Sequence, residues 1–368
     1  MQFCREKCVT ADAGLNVGSA AAEVPAEITA MIDAEGRKRF VIALVLAWAL
    51  LVTPASLLGQ TPARTSADAN NQTVSAIAGI TVPESKLRWG LRVWRNVELK
   101  VEERRCLGTE EAAKAYAVPL DVYRPNDAKR RPWVMMIHGG AWSMGTKNNL
   151  QTHAIAFAKA GFVVLSPDYR LAPEHLFPAQ LVDCRALLSW CLMPTKETPT
   201  GGAKKPVQSA TDLFGIEREK YGLWGYSAGA QLAALLAIEA SRDAPAPAAC
   251  IVGGIPADFD WVEPDSDILA HVFGGPPKTF PDVYLAASPR KQLHAKVCPL
   301  LIYHGTADFL VPPAVGRRFH QTAIDVGIDS TFVSLVNKEH MLTFLNAGMR
   351  DRSIRFLTNK LPPEQAAR

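Results

Sequence analysis

The sequence predicts an α/β fold in which a mostly parallel central sheet carries helices on both faces. Three observations point that way. Short apolar runs rich in β-branched residues alternate with longer amphipathic ones, the pattern of parallel strands buried on both sides. A glycine-flanked serine, Gly225-Tyr226-Ser227-Ala228-Gly229, falls between one such run and an Ala/Leu-rich stretch. Two later runs are each followed within a few residues by a side chain able to serve that serine, Asp308 after the first and His340 after the second.

The elements follow in chain order. Residues 116–123 alternate in polarity up to Pro125 and read as a strand, and 133–137 is a continuous apolar run that reads as another. Residues 150–160 have helical spacing and stop at Gly161, after which 162–166 is again strand-like. A helix is expected over 177–192, a strand over 221–224, and a helix over 228–240 directly after the serine motif. Strands at 250–255, 299–303 and 331–336 complete the sheet, with helices at 314–326 and 342–357. Two segments interrupt the rhythm. Residues 194–211, rich in Pro, Thr, Gly and Lys, read as a mobile surface loop. Residues 258–296 are too long for a simple connection and carry Trp261, Phe273 and Tyr284, which suggests a short inserted lid or a substrate wall.

Composition narrows the class. With 40 Lys+Arg against 36 Asp+Glu, the net charge of +4 over 368 residues provides no basic field to hold nucleic acid, so no nucleic-acid partner is expected. A hydrophobic content of 48% suits a chain with a large core.

The first 59 residues stand apart. Arg37-Lys38-Arg39 precedes an apolar run at 40–52, shorter than the ~18 residues of a spanning helix and within the ~7–15 of a signal core. Pro54, Ala55, Ser56 and Gly59 then supply the small residues and helix breaker of a cleavage region. Residues 1–59 therefore read as a leader with a signal peptide, for export to the periplasm or beyond, with an uncleaved anchor as the alternative. After cleavage no stable membrane insertion is expected. Because the charged residues lie far from Met1, Met31 is a candidate start. Residues 60–86 are rich in Thr, Ala, Ser and Asn and read as a flexible linker, leaving 87–368 as one folded domain.

Beyond the leader the cysteines are Cys106, Cys184, Cys191, Cys250 and Cys298, an odd number. Cys184 and Cys191 share one expected helix, ~10 Å apart along its axis, too far to bridge. No spacing resembles a zinc site, and neither metal nor cofactor is expected.

The chemistry centres on Ser227. A serine on a sharp strand-to-helix turn is forced into a strained conformation with its hydroxyl exposed, and the helix N-terminus behind it favours developing negative charge. A serine hydroxyl needs a base, and the base needs a carboxylate to orient it. His340 and Asp308 fit those roles in the order nucleophile, acid, histidine, each at the carboxyl end of an expected strand, where open α/β sheets gather their ligands. Asp258 and Asp260, which follow the preceding strand, compete with Asp308, and His320 and His304 compete with His340. The fourth part is His138-Gly139-Gly140-Ala141-Trp142, directly after the strand at 133–137. Backbone N–H groups on such a small-residue loop can hold an oxyanion, with Ala228 adding another donor from behind the serine.

These segments resemble the α/β-hydrolase fold of the esterase and lipase group, which includes the hormone-sensitive-lipase-like and the feruloyl or acetylxylan esterase-like families. The likeness covers nearly all of 115–358. His138 to Trp142 is similar to the HGG(G/A)(F/W) loop, Asp168-Tyr169-Arg170-Leu171-Ala172-Pro173-Glu174-His175 to the DYRLAPEH segment of the lipase-like branch, and His304-Gly305-Thr306-Ala307-Asp308 to the HGTAD segment of the esterase-like branch. The resemblance implies a triad of Ser227, Asp308 and His340, with Gly140, Ala141 and Ala228 donating to the oxyanion. It implies a serine carboxylic-ester hydrolase. The insertion at 258–296 carries Asp258, Asp260, Glu263, Asp265, Asp267 and Asp282 among its aromatics, a wall that tolerates polar alcohols, so short-chain acyl esters of small-molecule or carbohydrate-linked alcohols are expected. An amidase or peptidase of the same fold and a silent binding scaffold are the alternatives. Ala141 stands where a third glycine is commoner, and Tyr226 where lipase-like elbows often carry aspartate. Trp142, Tyr226 and Trp261 are candidates for substrate contact, and for the two tryptophans plain packing is the alternative.

Overall fold

Val134, Met135, Met136 and Ile137 have no polar atom to offer solvent, and a strand made of them is stable only between two covered faces. In the structure, a computed structural model that describes residues 73–105, 114–194, 208–243 and 245–363, that strand lies near the middle of a ten-stranded sheet. The strands are β1 (Thr73–Thr81), β2 (Lys86–Arg88), β3 (Leu91–Arg105), β4 (Lys114–Pro125), β5 (Arg131–Ile137), β6 (Val163–Pro167), β7 (Ile216–Tyr226), β8 (Ala249–Gly253), β9 (Leu300–Gly305) and β10 (Ser330–Leu335). Their order is β1-β3-β4-β6-β5-β7-β8-β9-β10, with β2 paired to β3 at the side.

From β6 to β10 every neighbouring pair is parallel, whereas β1 to β4 and the β4–β6 join are antiparallel. Strands β5, β6, β8 and β9 are buried at every position. The helices are α1 (Gln151–Lys159), α2 (Ala179–Cys191), α3 (Ala210–Phe214), α4 (Ala228–Asp243), α5 (Ala270–Phe273), α6 (Pro281–Ala286), α7 (Pro313–Asp325), α8 (His340–Phe344) and α9 (Ala347–Lys360). One face of the sheet is packed by Phe157 of α1 with Met349 and Leu357 of α9. The other is packed by Leu187 and Trp190 of α2, Leu232 and Leu235 of α4 and Phe319 of α7.

The chain departs from expectation in four places. A strand, β1, lies within the stretch read as linker: Thr73–Thr81 pairs with β3, and Ile77 and Ile80 pack against the core. Its Ser, Ala and Gly residues hide the strand because an edge strand draws its stability from the ladder more than from side chains. The single helix expected over 342–357 is two, since Asn346 ends the first and caps the second by accepting from Met349 N at 2.9 Å. At the end of the expected surface loop, Ser209 caps α3, and Ala210 and Thr211 are buried. Residues 258–296 form a packed wall, with Phe259, Phe273 and Tyr284 turned into the core. The leader (1–59), residues 60–72, Cys106 and most of the loop at 194–211 lie outside the described residues. Cys184, Cys191, Cys250 and Cys298 are buried free thiols. Among the described residues no helix is long and apolar enough to cross a membrane.

Candidate active site

The tight turn at Ser227 dictates the local sequence. Ser227 sits at φ +54°, in the left-handed region, held by its own N–H to Gly253 O at 2.8 Å and by Ala230 N donating to Ser227 O at 2.9 Å. A β-carbon on Gly229 would lie 2.1 Å from Ile137 O, so only glycine lets α4 start this close to β5. On the facing loop, a β-carbon on Gly139 would meet Tyr226 O at 2.7 Å and Ser227 Cβ at 3.1 Å, which brings the His138–Trp142 loop directly against the serine.

That loop turns sharply: Ser143 N and Met144 N both donate to Gly140 O, and Ala141 and Trp142 take φ +49° and +60°. Among the described residues the N–H groups of Gly140, Ala141 and Ala228 serve in none of the turn and loop hydrogen bonds. His138 anchors the loop and stays out of the chemistry. Its ring stacks on Tyr169 at 4.2 Å, its Nδ1 bonds Gly139 O at 2.8 Å, and burial lowers its pKa to about 4. Tyr169 donates to His138 O at 2.9 Å, and Lys147 N to Asp168 at 2.7 Å, so the Asp168 to His175 segment braces the same loop.

At the ends of β9 and β10 the structure joins the two other expected residues. His340 Nδ1 lies 2.6 Å from Asp308 Oδ2. Both side chains are buried. Asp308 Oδ1 accepts from Leu310 N at 3.0 Å and Val311 N at 2.9 Å. Burial works to raise the Asp308 pKa, but hydrogen bonding with the neighbouring His304 and His340 overcomes it and holds the carboxyl well below the usual range. Gly254, next to the Gly253 whose carbonyl holds Ser227 N, lies against this pair: a β-carbon on it would stand 2.9 Å from His340 Cε1. No hydrogen bond yet joins Ser227 Oγ to His340, a contact that commonly tightens only around substrate.

The rivals are engaged elsewhere. Asp258 is paired with Arg290 at 2.6 Å and Arg318 at 2.9 Å, and Asp260 with Arg290 and Lys291. His320, on α7, bonds Ser330 Oγ.

A family model described as the alpha/beta hydrolase fold matches residues 134–342, more than half of the chain. The chain belongs to this family. Among curated relatives, this α/β-hydrolase is 29% identical over 241 residues to the esterase LipC of Mycobacterium tuberculosis, covering 60% of this chain and 54% of the relative. It is 32% identical over 191 residues to the carboxylesterase NlhH of the same organism, covering 51% and 50%. The chain thus spans about half the length of the curated relatives it matches. Solved structures of like fold include a carbohydrate esterase from gut microbiota, with TM-score 0.55 and 19% identity over 66% of this chain and 90% of that one. An arylesterase aligns with TM-score 0.53 and 17% identity over 91% and 95%.

Within this α/β-hydrolase two of the three aromatic candidates, Trp142 and Tyr226, are corrected. Trp142 is only 4% exposed, packs against Phe259 and Phe273, and donates from Nε1 to Gln231 Oε1 at 3.0 Å, so it is interior packing rather than a substrate wall. Trp261 is half-buried against the core and donates to Asp258 O at 2.8 Å. Tyr226 is buried too: its hydroxyl donates to the backbone carbonyl of His340, and burial pushes its pKa far above the usual range. Where an elbow aspartate would be charged, this neutral phenol ties the serine turn to the histidine loop.

Sequence reading missed Gln231. Fully buried, it joins Trp142 of the His138–Trp142 loop to Ala287 O of the inserted wall, to which it donates at 2.7 Å. The available signal was a glutamine four residues after Ser227 in an otherwise Ala/Leu-rich helix.

Tyr226→Phe is expected to lower kcat for a soluble ester about 10-fold, because the His340 backbone loses its tether. KM should stay within about 2-fold. Stability should fall by about 1 kcal/mol, the net contribution of one buried hydrogen bond. Steady-state kinetics beside a melting curve check this, and an unchanged kcat would count against the tether.

Proposed function

We propose that the chain is a serine carboxylic-ester hydrolase working through an acyl-enzyme. One observation carries the reading: the His340 imidazole is bonded to the Asp308 carboxylate beside a strained serine turn. With Asp308 accepting a hydrogen bond from the Nδ1–H, the Nε2 lone pair of His340 is free to accept the Ser227 proton as Oγ attacks the acyl carbon. Negative charge then builds on the carbonyl oxygen, where the N–H groups of Gly140, Ala141 and Ala228 can stabilise it. Collapse of the intermediate breaks the bond to the alcohol, which leaves with the proton from His340. Water repeats the sequence and releases the acid. The likeness to the esterase LipC and the carboxylesterase NlhH supports an ester substrate. A fluorophosphonate should label Ser227 stoichiometrically, and of matched aryl ester and anilide pairs the ester should turn over far faster. Faster amide turnover would favour the amidase reading, and an unlabelled protein the silent scaffold.

For the acyl part we propose short chains, acetate foremost, on small or carbohydrate-like alcohols. The acidic residues of the inserted segment do not argue for this, because Asp258 and Asp260 are consumed in ion pairs. Support comes from the aromatics. Trp142, Phe259, Phe273 and Tyr284 pack with ring centroids 4.7–6.0 Å apart behind the oxyanion loop, filling space that a long acyl chain would need. Each additional CH₂ gains ~0.8 kcal/mol only where an apolar slot receives it. On the outer side Phe309, Met341 and Leu342 are 49%, 45% and 49% exposed beside Asp308 and His340, an apolar rim suited to an aryl alcohol. With p-nitrophenyl esters, kcat/KM is expected to fall beyond about eight acyl carbons. A steady rise from acetate to long chains would overturn the short-chain reading.

A further inference from the structure

His304 lies beneath the pair already described, one strand residue before Gly305, and is almost completely buried. Its Nε2 is 3.1 Å from Asp308 Oδ2 and 3.1 Å from Val311 O. A carboxylate and a carbonyl can only accept, so Nε2 must carry a hydrogen. On the other side of the ring Nδ1 has no hydrogen-bond partner, and a β-carbon on Gly316 of α7 would stand 2.5 Å from it. A hydrogen on Nδ1 would be buried and unpaired, so the ring is neutral, with its proton on Nε2. Val311 closes the arrangement by donating its N–H to Asp308 Oδ1 and accepting from His304 through its carbonyl.

Asp308 Oδ2 therefore stands between two imidazoles, His340 at 2.6 Å and His304 at 3.1 Å. We propose that His304 is a positioning residue that fixes the Asp308 carboxylate and draws off part of its charge, so that His340 remains an unprotonated base at lower pH than a carboxylate facing one histidine would allow. The proposal rests on the hydrolase reading of Ser227, Asp308 and His340.

The sign follows from electrostatics. The His304 Nε2–H, bonded to Val311 O with Asp308 Oδ2 equally at 3.1 Å, brings its positive end beside the carboxylate and weakens the negative potential at His340, and that potential is what favours the imidazolium. Removing the dipole strengthens the pull of Asp308 and raises the pH below which His340 is protonated. Other ionisable groups around the pair do not replace this effect. Tyr226 of β7 and Tyr303 of β9 are held neutral by burial, Arg318 of α7 is turned to Asp258, and Arg317 and Glu339 are exposed, with Lys338 half-buried in the loop before His340.

Two measurements on the full chain test the proposal. In the wild type, nitrogen NMR of labelled histidine should find His304 as the neutral Nε2–H tautomer from about pH 5 to pH 8. The Nδ1–H tautomer, or an imidazolium in that range, would overturn it. The second measurement is the pH dependence of kcat/KM for p-nitrophenyl acetate. In His304→Leu the acid limb should move up by about half a pH unit or more, and in His304→Gln, whose amide N–H can reach the Nε2 position, it should return toward the wild-type value.

A merely structural histidine would lower kcat at every pH and leave the limb in place, and an unmoved or lowered limb in His304→Leu overturns the proposal. If His304→Leu does not fold, the wild-type tautomer and the His304→Gln profile decide it. A wild type that neither turns over esters nor takes the fluorophosphonate would remove the hydrolase reading, while the tautomer measurement would still test the placement of the His304 proton on Nε2 between Val311 O and Asp308.

Discussion

Ser227→Ala is expected to lower kcat for a soluble aryl ester by about 10⁶-fold with the fold unchanged. The loss is large because the serine, the imidazole and the carboxylate act as a unit, and without Oγ no acyl-enzyme forms. What survives, on the order of 10³–10⁴ over the reaction in water, belongs to the oxyanion donors and to binding. The fold should not notice. Position 227 needs φ +54°, a strain on the order of 1–2 kcal/mol for any residue with a β-carbon, and alanine bears the same strain as serine. The turn is held by backbone groups, through Gly253 O and the N–H of Ala230, and the serine hydroxyl takes part in none of those bonds. Kinetics with a melting curve check both halves, and activity above a few per cent of wild type would sink the nucleophile assignment.

How much of this was legible in the sequence depends on the range of the interaction concerned. The runs at 133–137, 162–166 and 299–303 are almost wholly apolar because both faces are covered, a local pattern, and they appear as β5, β6 and β9. Ser227 was legible because a small-residue turn between strand and helix has few other uses, and the juxtaposition of Asp308 and His340 follows once both strands end at one edge. β1 was not legible, since its stability comes from a ladder with β3 and its side chains carry little pattern. Nor were the partners of Tyr226 and Trp142. An aromatic next to a reactive serine looks like a substrate contact until the fold brings His340 O to one hydroxyl and Gln231 to the other indole. Asp258 and Asp308 follow adjacent strands, β8 and β9, and in sequence are equivalent. Only packing separates them, by giving Asp258 two arginines and Asp308 two histidines.

That separation yields a paired expectation. Asp308→Asn should reduce kcat by about 10⁴-fold, whereas Asp258→Asn should leave it within a few-fold. At Asp308 the neighbouring donors dictate how an asparagine sits. Leu310 N and Val311 N both donate to the Oδ1 position, so the amide carbonyl must take it. The NH₂ group is left at the Oδ2 position, facing His340 Nδ1 and the Nε2–H of His304. A donor there obliges His340 to present a bare Nδ1 and carry its proton on Nε2, the tautomer that cannot take the Ser227 proton. At Asp258 an asparagine weakens the pairs with Arg290 and Arg318, both partly exposed, at a cost of about 1–2 kcal/mol in stability with the histidine untouched. Acid stability should divide the variants in the same way. Because the folded Asp308 carboxyl titrates below its unfolded value of about 3.9, its contribution is fully present above that pH and is lost as pH falls through the folded value. The melting temperature of Asp308→Asn should therefore decline less steeply below about pH 4 than that of the wild type or of Asp258→Asn. If Asp258→Asn were the variant that lost turnover, the acid would belong to the end of β8 and the pairing of Asp308 with His340 would have no catalytic meaning.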